Sequence, residues 1–189
     1  MAKKNNRYFG FAVLILLFVC FISIIPLFSE KKKYDDSVLD INYLQSNVIT
    51  VDNSLPLPDE SGKLINVENY IDGTTGYLEF EVSSLIDDDV EYEIYLTEDG
   101  EDNSISDKYV KVYLSDGNDL GFKDFDKADV PSYYDLRLAK SNLDGKLIYT
   151  GTLKDKGKSK FILRMWVADT YSYTTNSKSF SVKLTVKVL

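Results

Sequence analysis

Residues 180–188 alternate strictly between apolar and polar side chains, and this alternation limits the fold more than any other feature of the chain. The order is Phe180, Ser181, Val182, Lys183, Leu184, Thr185, Val186, Lys187 and Val188. Successive side chains of a β-strand point to opposite faces of a sheet. The pattern therefore predicts a strand with one buried and one solvated face.

The same alternation recurs earlier in the chain. It runs through residues 77–85, 90–96, 110–114, 147–153 and 160–167, which we predict to be strands. Asp-Gly pairs stand at residues 72–73, 99–100, 116–117 and 144–145. Both residue types tolerate the positive φ of tight turns, so these pairs are typical of connections between strands.

The number and spacing of these segments predict the fold class. About seven to nine short strands, each with one apolar face, are what two antiparallel sheets packed face to face require. We therefore predict an all-β chain with an immunoglobulin-like antiparallel β-sandwich. A closed barrel is the structural alternative, because alternation alone does not distinguish the two.

A second kind of segment precedes the strands. Residues 8–28 carry no charge and are almost entirely apolar or aromatic. At ~1.5 Å per residue, a helix of this length spans the ~30 Å hydrocarbon core of a bilayer. The small residues of a signal-peptide cleavage site are missing near Ser29, so one N-terminal transmembrane helix that remains as an anchor is predicted.

This anchor divides the chain into four parts. We predict a cytoplasmic tail at residues 1–7 and a transmembrane anchor at 8–28. A juxtamembrane stalk with the first strand or strands follows at 29–63, and a β-sandwich ectodomain at 64–189. Three basic residues on each side of the anchor leave the orientation open on charge alone. The short tail and the acidic body favour a cytoplasmic N-terminus, and a cytoplasmic body is the alternative.

Composition excludes several classes of function. The formal net charge of −8 disfavours binding to nucleic acid. The chain has no histidine, and its one cysteine, Cys20, lies in the apolar segment. Ser/His/Asp and Cys/His catalytic systems, disulfides and the usual zinc ligands are therefore missing. We predict no enzyme activity and no cofactor.

Acidic turns provide the only candidates for a metal site, which are Asp116, Asn118, Asp124 and Asp126. Two of them, with Gly121, match positions one, three and six of a helix-loop-helix calcium loop. Leu120 stands at position five, and Lys127 replaces the closing glutamate. The calcium motif is therefore not met, and solvated turns between strands are the favoured interpretation.

The only tryptophan, Trp166, shares one face of a predicted strand with Ile162 and Arg164. We predict a structural role for Trp166 and Arg164, on a face covered by residues 131–142. Tyr171 and three further tyrosines, at positions 133, 134 and 173, flank predicted loops, where rings could stack on sugars or on a protein.

Three phrases of the sequence carry a resemblance. They are NVITVD at residues 47–52, VEYEIYL at 90–96 and a closing stretch from Phe161 that begins FILRMWVADTY. With the apolar segment, they resemble exported, membrane-anchored β-sandwich surface proteins of low-GC Gram-positive bacteria, of the camelysin and TasA-like kind. The chain lacks that family's cleavable signal and any H-E-x-x-H motif, so no protease activity is implied. The resemblance implies a structural or matrix role at the cell surface.

These observations lead to one hypothesis and one alternative. The chain is predicted to be a non-enzymatic, single-pass protein of the cell membrane, with its C-terminal domain extracellular. Its partners would be the bilayer, through residues 8–28, and copies of itself or another envelope protein, through a sheet face or an exposed edge strand. The alternative is an extracellular module that binds carbohydrate or calcium.

Overall fold

The computed structural model describes residues 34–52, 54–65, 76–100, 103–116, 135–172 and 178–189. The segment predicted as a transmembrane anchor, residues 8–28, lies outside these ranges. Within them, no helix has both the length and the apolar character needed to cross a bilayer.

Nine strands make up most of the described chain. They are β1 (Leu39–Tyr43), β2 (Val48–Asp52), β3 (Gly76–Ser84), β4 (Val90–Glu98), β5 (Val110–Asp116), β6 (Lys140–Asn142), β7 (Gly145–Leu153), β8 (Lys158–Val167) and β9 (Ser179–Val188). A one-turn helix, α1, spans Asp59–Gly62, and short 3-10 turns lie at Asp36–Val38, Asp107–Tyr109 and Leu136–Leu138.

The strands form two antiparallel sheets. The four-stranded sheet has the order β1-β3-β8-β5, and the five-stranded sheet has the order β2-β9-β4-β7-β6. Residues from both sheets share one core, so the predicted all-β, two-sheet sandwich is confirmed. Each sheet is a separate hydrogen-bonded ladder among the described residues, which excludes the closed barrel there. The first two strands lie within residues 29–63, the part predicted to hold the stalk and the first strand or strands.

The chain passes repeatedly from one sheet to the other. Among the described strands, seven of the eight steps from one strand to the next change sheet, and only β6 and β7 follow each other within one sheet. Strands from distant parts of the sequence therefore become neighbours. The interior pairs β3–β8 and β4–β9 are examples.

The main core lies between the sheets and follows the predicted faces. It includes Leu78, Phe80 and Val82 of β3, Val90, Tyr92, Ile94 and Leu96 of β4, and Phe180, Val182, Leu184 and Val186 of β9, all buried. A row of aromatic rings crosses it: Tyr43, Phe80, Phe161, Tyr149 and Tyr92, with successive centroids 5.2–6.2 Å apart. Burial, and then the neighbouring Tyr149, raise the pKa of the Tyr92 phenol.

A second, smaller core lies on the outer face of the four-stranded sheet. Tyr77, Tyr113, Ile162 and Trp166 project there and pack with Ile65. Trp166 is fully buried, as expected for a structural role. Its cover includes residues 54–65, which we call the β2–β3 strap. By contrast, Leu136 of the segment expected to provide the cover lies in the main core, and residues 131–134 are outside the described ranges.

The strap packs closely against Trp166 because the residue of α1 that touches the ring, Gly62, has no side chain. A Cβ added to Gly62 would stand 2.1 Å from Cδ2 of Trp166. The strap is also joined to the sheet, since the N–H of Leu57 donates to the carbonyl of Val167 at 2.8 Å. The part of this outer face around Trp166 is therefore a second interior rather than a solvated surface.

Two of the four Asp-Gly pairs can be compared with the structure. Gly100 and Gly145 have φ of 102° and 123°, as predicted for turns. A turn without glycine at its positive-φ positions was not predicted: Asp155 and Lys156 have φ of 42° and 55° between β7 and β8. Asp144-Gly145 closes the β6–β7 connection, where a Cβ on Gly145 would stand 2.6 Å from the Leu96 carbonyl oxygen.

Candidate functional site

The two sheets leave four edge strands, and these differ in how their outer edges are protected. β6 has only three residues, and β5 packs against the 3-10 turn at Leu136–Leu138. At the edge of β2, the N–H of Val48 donates to Ser46 Oγ at 2.9 Å. Proteins commonly block edges by such means, because an unpaired edge can add another strand.

Among the described residues, β1 is protected by its own chain only at its first residue, where the Leu39 N–H donates to the Asp36 carbonyl. It runs for five residues in unbroken antiparallel register with β3, from Leu39 opposite Ser84 to Tyr43 opposite Phe80. It contains no proline, lysine or arginine and no bulge.

The hydrogen bonds at both ends of β1 show which of its backbone groups point outward. The N–H of Leu44 donates to the Glu79 carbonyl at 3.0 Å, and the N–H of Leu85 donates to the Val38 carbonyl at 2.9 Å. Antiparallel pairs alternate between bonded and non-bonded positions, so the even-numbered residues of β1 bond to β3. The N–H and C=O groups of Ile41 and Tyr43 and the C=O of Leu39 therefore point to the free edge, whereas the Leu39 N–H donates to the Asp36 carbonyl.

The side chains of β1 alternate as well. Leu39 is buried, and Ile41 and Tyr43 are half-buried against the main core, with the Tyr43 hydroxyl 3.5 Å from the Leu184 carbonyl oxygen. Asp40 and Asn42 are exposed on the other face. The strand is thus held firmly by one face and one edge, while its second edge remains open.

A groove of about 240 Å³ lies at the end of this strand. Its lining combines apolar rings with carboxylates and one amine: Asn42, Tyr43, Leu44, Glu79, Phe80, Glu81 and Lys160. The Leu44 side chain is 64% exposed, although it is apolar. Exposed apolar surface beside an open edge is typical of a place where another chain packs.

On the outer face of the five-stranded sheet, a polar network surrounds the edge strand β6. Tyr95 is only 3% exposed, and its hydroxyl donates to Glu93 and accepts from Asn142 Nδ2 at 2.9 Å. Burial, followed by the hydrogen bond to Glu93, raises the pKa of Tyr95. Lys187 contacts Asp144 in the β6–β7 turn, and this hydrogen bond raises the pKa of Lys187. These bonds tie β6 and its turn to β4 and β9.

Arg164 is a buried charge beneath the strap. Its side chain is 3% exposed, with Nε donating to the Ile65 carbonyl at 2.7 Å and Nη1 donating to Ser115 Oγ at 2.6 Å. The guanidinium also lies 5.7 Å from the centroid of the Tyr113 ring. Arg164 therefore joins the end of the strap to β5, which agrees with the structural role predicted for it.

The predicted metal candidates are only partly covered by the structure. Asp116 is the last residue of β5 and pairs with Phe161 of β8. Asn118, Asp124 and Asp126 lie outside the described residues. In the described ranges, no three side chains of the Asp, Glu, Cys and His types gather as metal ligands would.

The sequence predicted association through a sheet face or an exposed edge strand, but it did not single out the edge of β1. Its alternating residues look like those of any half-buried strand, and pairing on one side only is a property of the sheet. Comparisons with family models, with curated proteins and with solved structures gave no match. The functional argument therefore depends on this geometry.

Proposed function

We propose that the chain is a non-enzymatic, membrane-anchored surface protein that associates with other proteins through the free edge of β1. The observation that carries this proposal is the outward direction of the backbone groups of Ile41 and Tyr43 and of the Leu39 carbonyl, beside exposed side chains at Asp40 and Asn42. The acidic composition and the lack of histidine in the chain support a role in binding rather than in catalysis.

The physical reason lies in the hydrogen bonds that an open edge offers. Outward N–H and C=O groups are satisfied by water until another strand replaces it, and each bond formed then contributes about 0.5–1.5 kcal/mol net. The ladder supplies affinity, while side chains on the two faces of the added strand supply specificity. On β1, the specificity would come from Asp40, Asn42 and the exposed Leu44.

The anchor and the location belong to the same proposal. The uncharged residues 8–28 would hold the chain in the cell membrane with the N-terminus cytoplasmic and the sheet body outside. In the sequence, β1 begins shortly after this segment. A tethered domain with an open edge could pair with neighbouring molecules at the high local concentration of a membrane surface.

The finer class of the sandwich also belongs here. In the immunoglobulin arrangement that we predicted, several consecutive strands are neighbours within one sheet. Among the strands that the structure describes here, only β6 and β7 follow each other in one sheet. We infer that the connections are closer to the double-sheet jelly roll, a class that includes capsid and lectin domains. This inference is compatible with the proposed surface role.

The location can be tested with protease added to intact cells that carry an epitope tag at each end of the chain. We expect the C-terminal tag and the sheet body to be lost, while a small fragment with the N-terminal tag survives in the membrane fraction. Permeabilised cells provide the control for a protected N-terminus. Survival of the whole chain in intact cells, with digestion only after permeabilisation, would contradict the proposed orientation.

The edge can be tested with a photoreactive side chain in place of Asn42 and the substitution Ile41→Pro. The N–H of Ile41 points away from β3, so proline removes an edge donor without removing a bond of the β1–β3 ladder. We expect cross-linked products in intact cells and a loss of most of them in the Ile41→Pro variant.

A matched control for this experiment is Thr50→Pro. Thr50 lies on the edge strand β2, and the bond from Leu184 N–H to the Asn47 carbonyl places its backbone groups on the outer side of that strand. This variant should keep the cross-linked products. Equal loss in both variants, or retention in the Ile41→Pro variant with an unchanged thermal unfolding midpoint, would reject β1 as the interaction edge.

A further inference from the structure

We propose that the partner at this edge is a second copy of the same chain, with the two β1 strands antiparallel about a two-fold axis at Ile41. This inference rests on the proposed function and gives it a partner and a register. Two four-stranded sheets would then join edge to edge into one continuous sheet, with the two β1 strands at its centre.

The backbone allows this register. With the axis at Ile41, Leu39 lies opposite Tyr43 of the second copy, and Ile41 lies opposite itself. Because the Leu39 N–H already donates to the Asp36 carbonyl, these pairs exchange about four hydrogen bonds. An axis at Asn42 also allows about four bonds but pairs Asn42 with itself, whereas an axis at Asp40 allows about two.

The side chains favour the same register. An axis at Ile41 puts the carboxylate of Asp40 opposite the amide of Asn42 in the second copy, and this pair occurs twice. Residues opposite each other at such non-bonded positions have Cα atoms about 4.5 Å apart, within hydrogen-bonding reach of side chains. An axis at Asp40 would instead put two carboxylates opposite each other, which is destabilising.

The exposed Leu44 lies at the end of the joined strands. In this register it is opposite the Asp36–Val38 turn of the second copy. Leu44 is 64% exposed in the single chain and borders the groove beside β1, so this groove would lie next to the contact.

Disulfide cross-linking tests the register on the full chain in mild detergent, in a Cys20→Ser background. Two single variants, Asp40→Cys and Asn42→Cys, are oxidised separately and as a mixture. Cα atoms about 4.5 Å apart are within the range that a disulfide spans. We expect a covalent dimer in the mixture and little from either variant alone. Equal cross-linking in all three samples, or none in any, would overturn the register.

Charge exchange gives an independent measurement by sedimentation equilibrium. The substitution Asn42→Asp puts carboxylates opposite each other twice, so the dimer is expected to dissociate about tenfold more readily. The double variant Asp40→Asn with Asn42→Asp restores one amide opposite each carboxylate, and its dimer should regain most of the original affinity. No difference between these variants, or no recovery in the double variant, would overturn the two-fold pairing.

The outcomes separate this inference from the proposed function. In one outcome, the chain stays monomeric and forms no disulfide dimer, but the photoreactive side chain at position 42 still captures another protein and Ile41→Pro prevents this capture. The self-pairing is then wrong, and the proposed function of the edge stands. If the edge captures nothing in cells and no dimer forms, both proposals fail. Both proposals are supported by two results together. The affinity of the dimer falls in Asn42→Asp and recovers in the double variant, and the Ile41-dependent cross-linked products have the mass of two copies.

Discussion

Replacing Trp166 by alanine is expected to lower the free energy of unfolding by about 3–5 kcal/mol, because the substitution removes a large, fully buried side chain. The ring fills the space between the four-stranded sheet and the β2–β3 strap. Gly62 of the strap packs directly on the ring, and it has no side chain that could fill the space left by the substitution. Urea unfolding of the full chain in mild detergent, followed by circular dichroism, measures the loss.

The control for this prediction is Trp166→Phe, which keeps an aromatic ring and leaves a smaller cavity. We expect it to cost roughly 1–2 kcal/mol. The indole Nε1 has no hydrogen-bond acceptor among the described residues, so the control breaks no such bond there. A loss below about 1 kcal/mol for Trp166→Ala would show that the strap repacks onto the sheet, and it would reject this cluster as a second core.

Replacing Arg164 by alanine is expected to cost about 3–4 kcal/mol. The change leaves the Ile65 carbonyl and the Ser115 hydroxyl without their charged donor in a buried site, and such unsatisfied groups are expensive. The side chain also packs over Tyr113, so a cavity adds to the loss. The same urea experiment measures this variant.

Two further substitutions show whether the charge or the bulk of Arg164 matters. Ser115→Ala removes one hydrogen bond of Arg164 and keeps the bond to the Ile65 carbonyl, so it should cost about 1–2 kcal/mol. Arg164→Met retains much of the packing and removes the charge. If the methionine variant is as stable as the original protein, the guanidinium is not needed for stability, as has been found for other buried charges replaced by apolar groups. A loss within 1 kcal/mol for Arg164→Ala would contradict the prediction itself.

The sequence was informative where burial depends on position along a strand. Leu78, Phe80 and Val82 were assigned to the buried face of β3 because period two sorts side chains directly, and the structure confirms this. The same reasoning separated Trp166 from Met165, its neighbour on β8, which lies in the main core.

The sequence was uninformative where the burial of a residue depends on segments that are distant in the chain. Apolar residues at Ile162 and Trp166 indicated that something covers the outer face, but no local pattern identifies the strap as that cover. Tyr95 shows the same limit, because alternation places it on the outer face. Its burial there depends on Asn142 and on the register shift between Ile94 and Tyr95. Strand order and free edges, including that of β1, likewise depend on the whole topology.

The position of the last two described strands has a consequence for biosynthesis. β8 lies between β3 and β5, and β9 lies between β2 and β4, so one interior strand of each sheet is made after both of its neighbours. A nascent chain that has not yet released these strands cannot complete either ladder, and contacts this distant in sequence form slowly. The emerging polypeptide therefore has no complete sheet while it is being synthesised. It closes into its final shape only once its C-terminal strands are free.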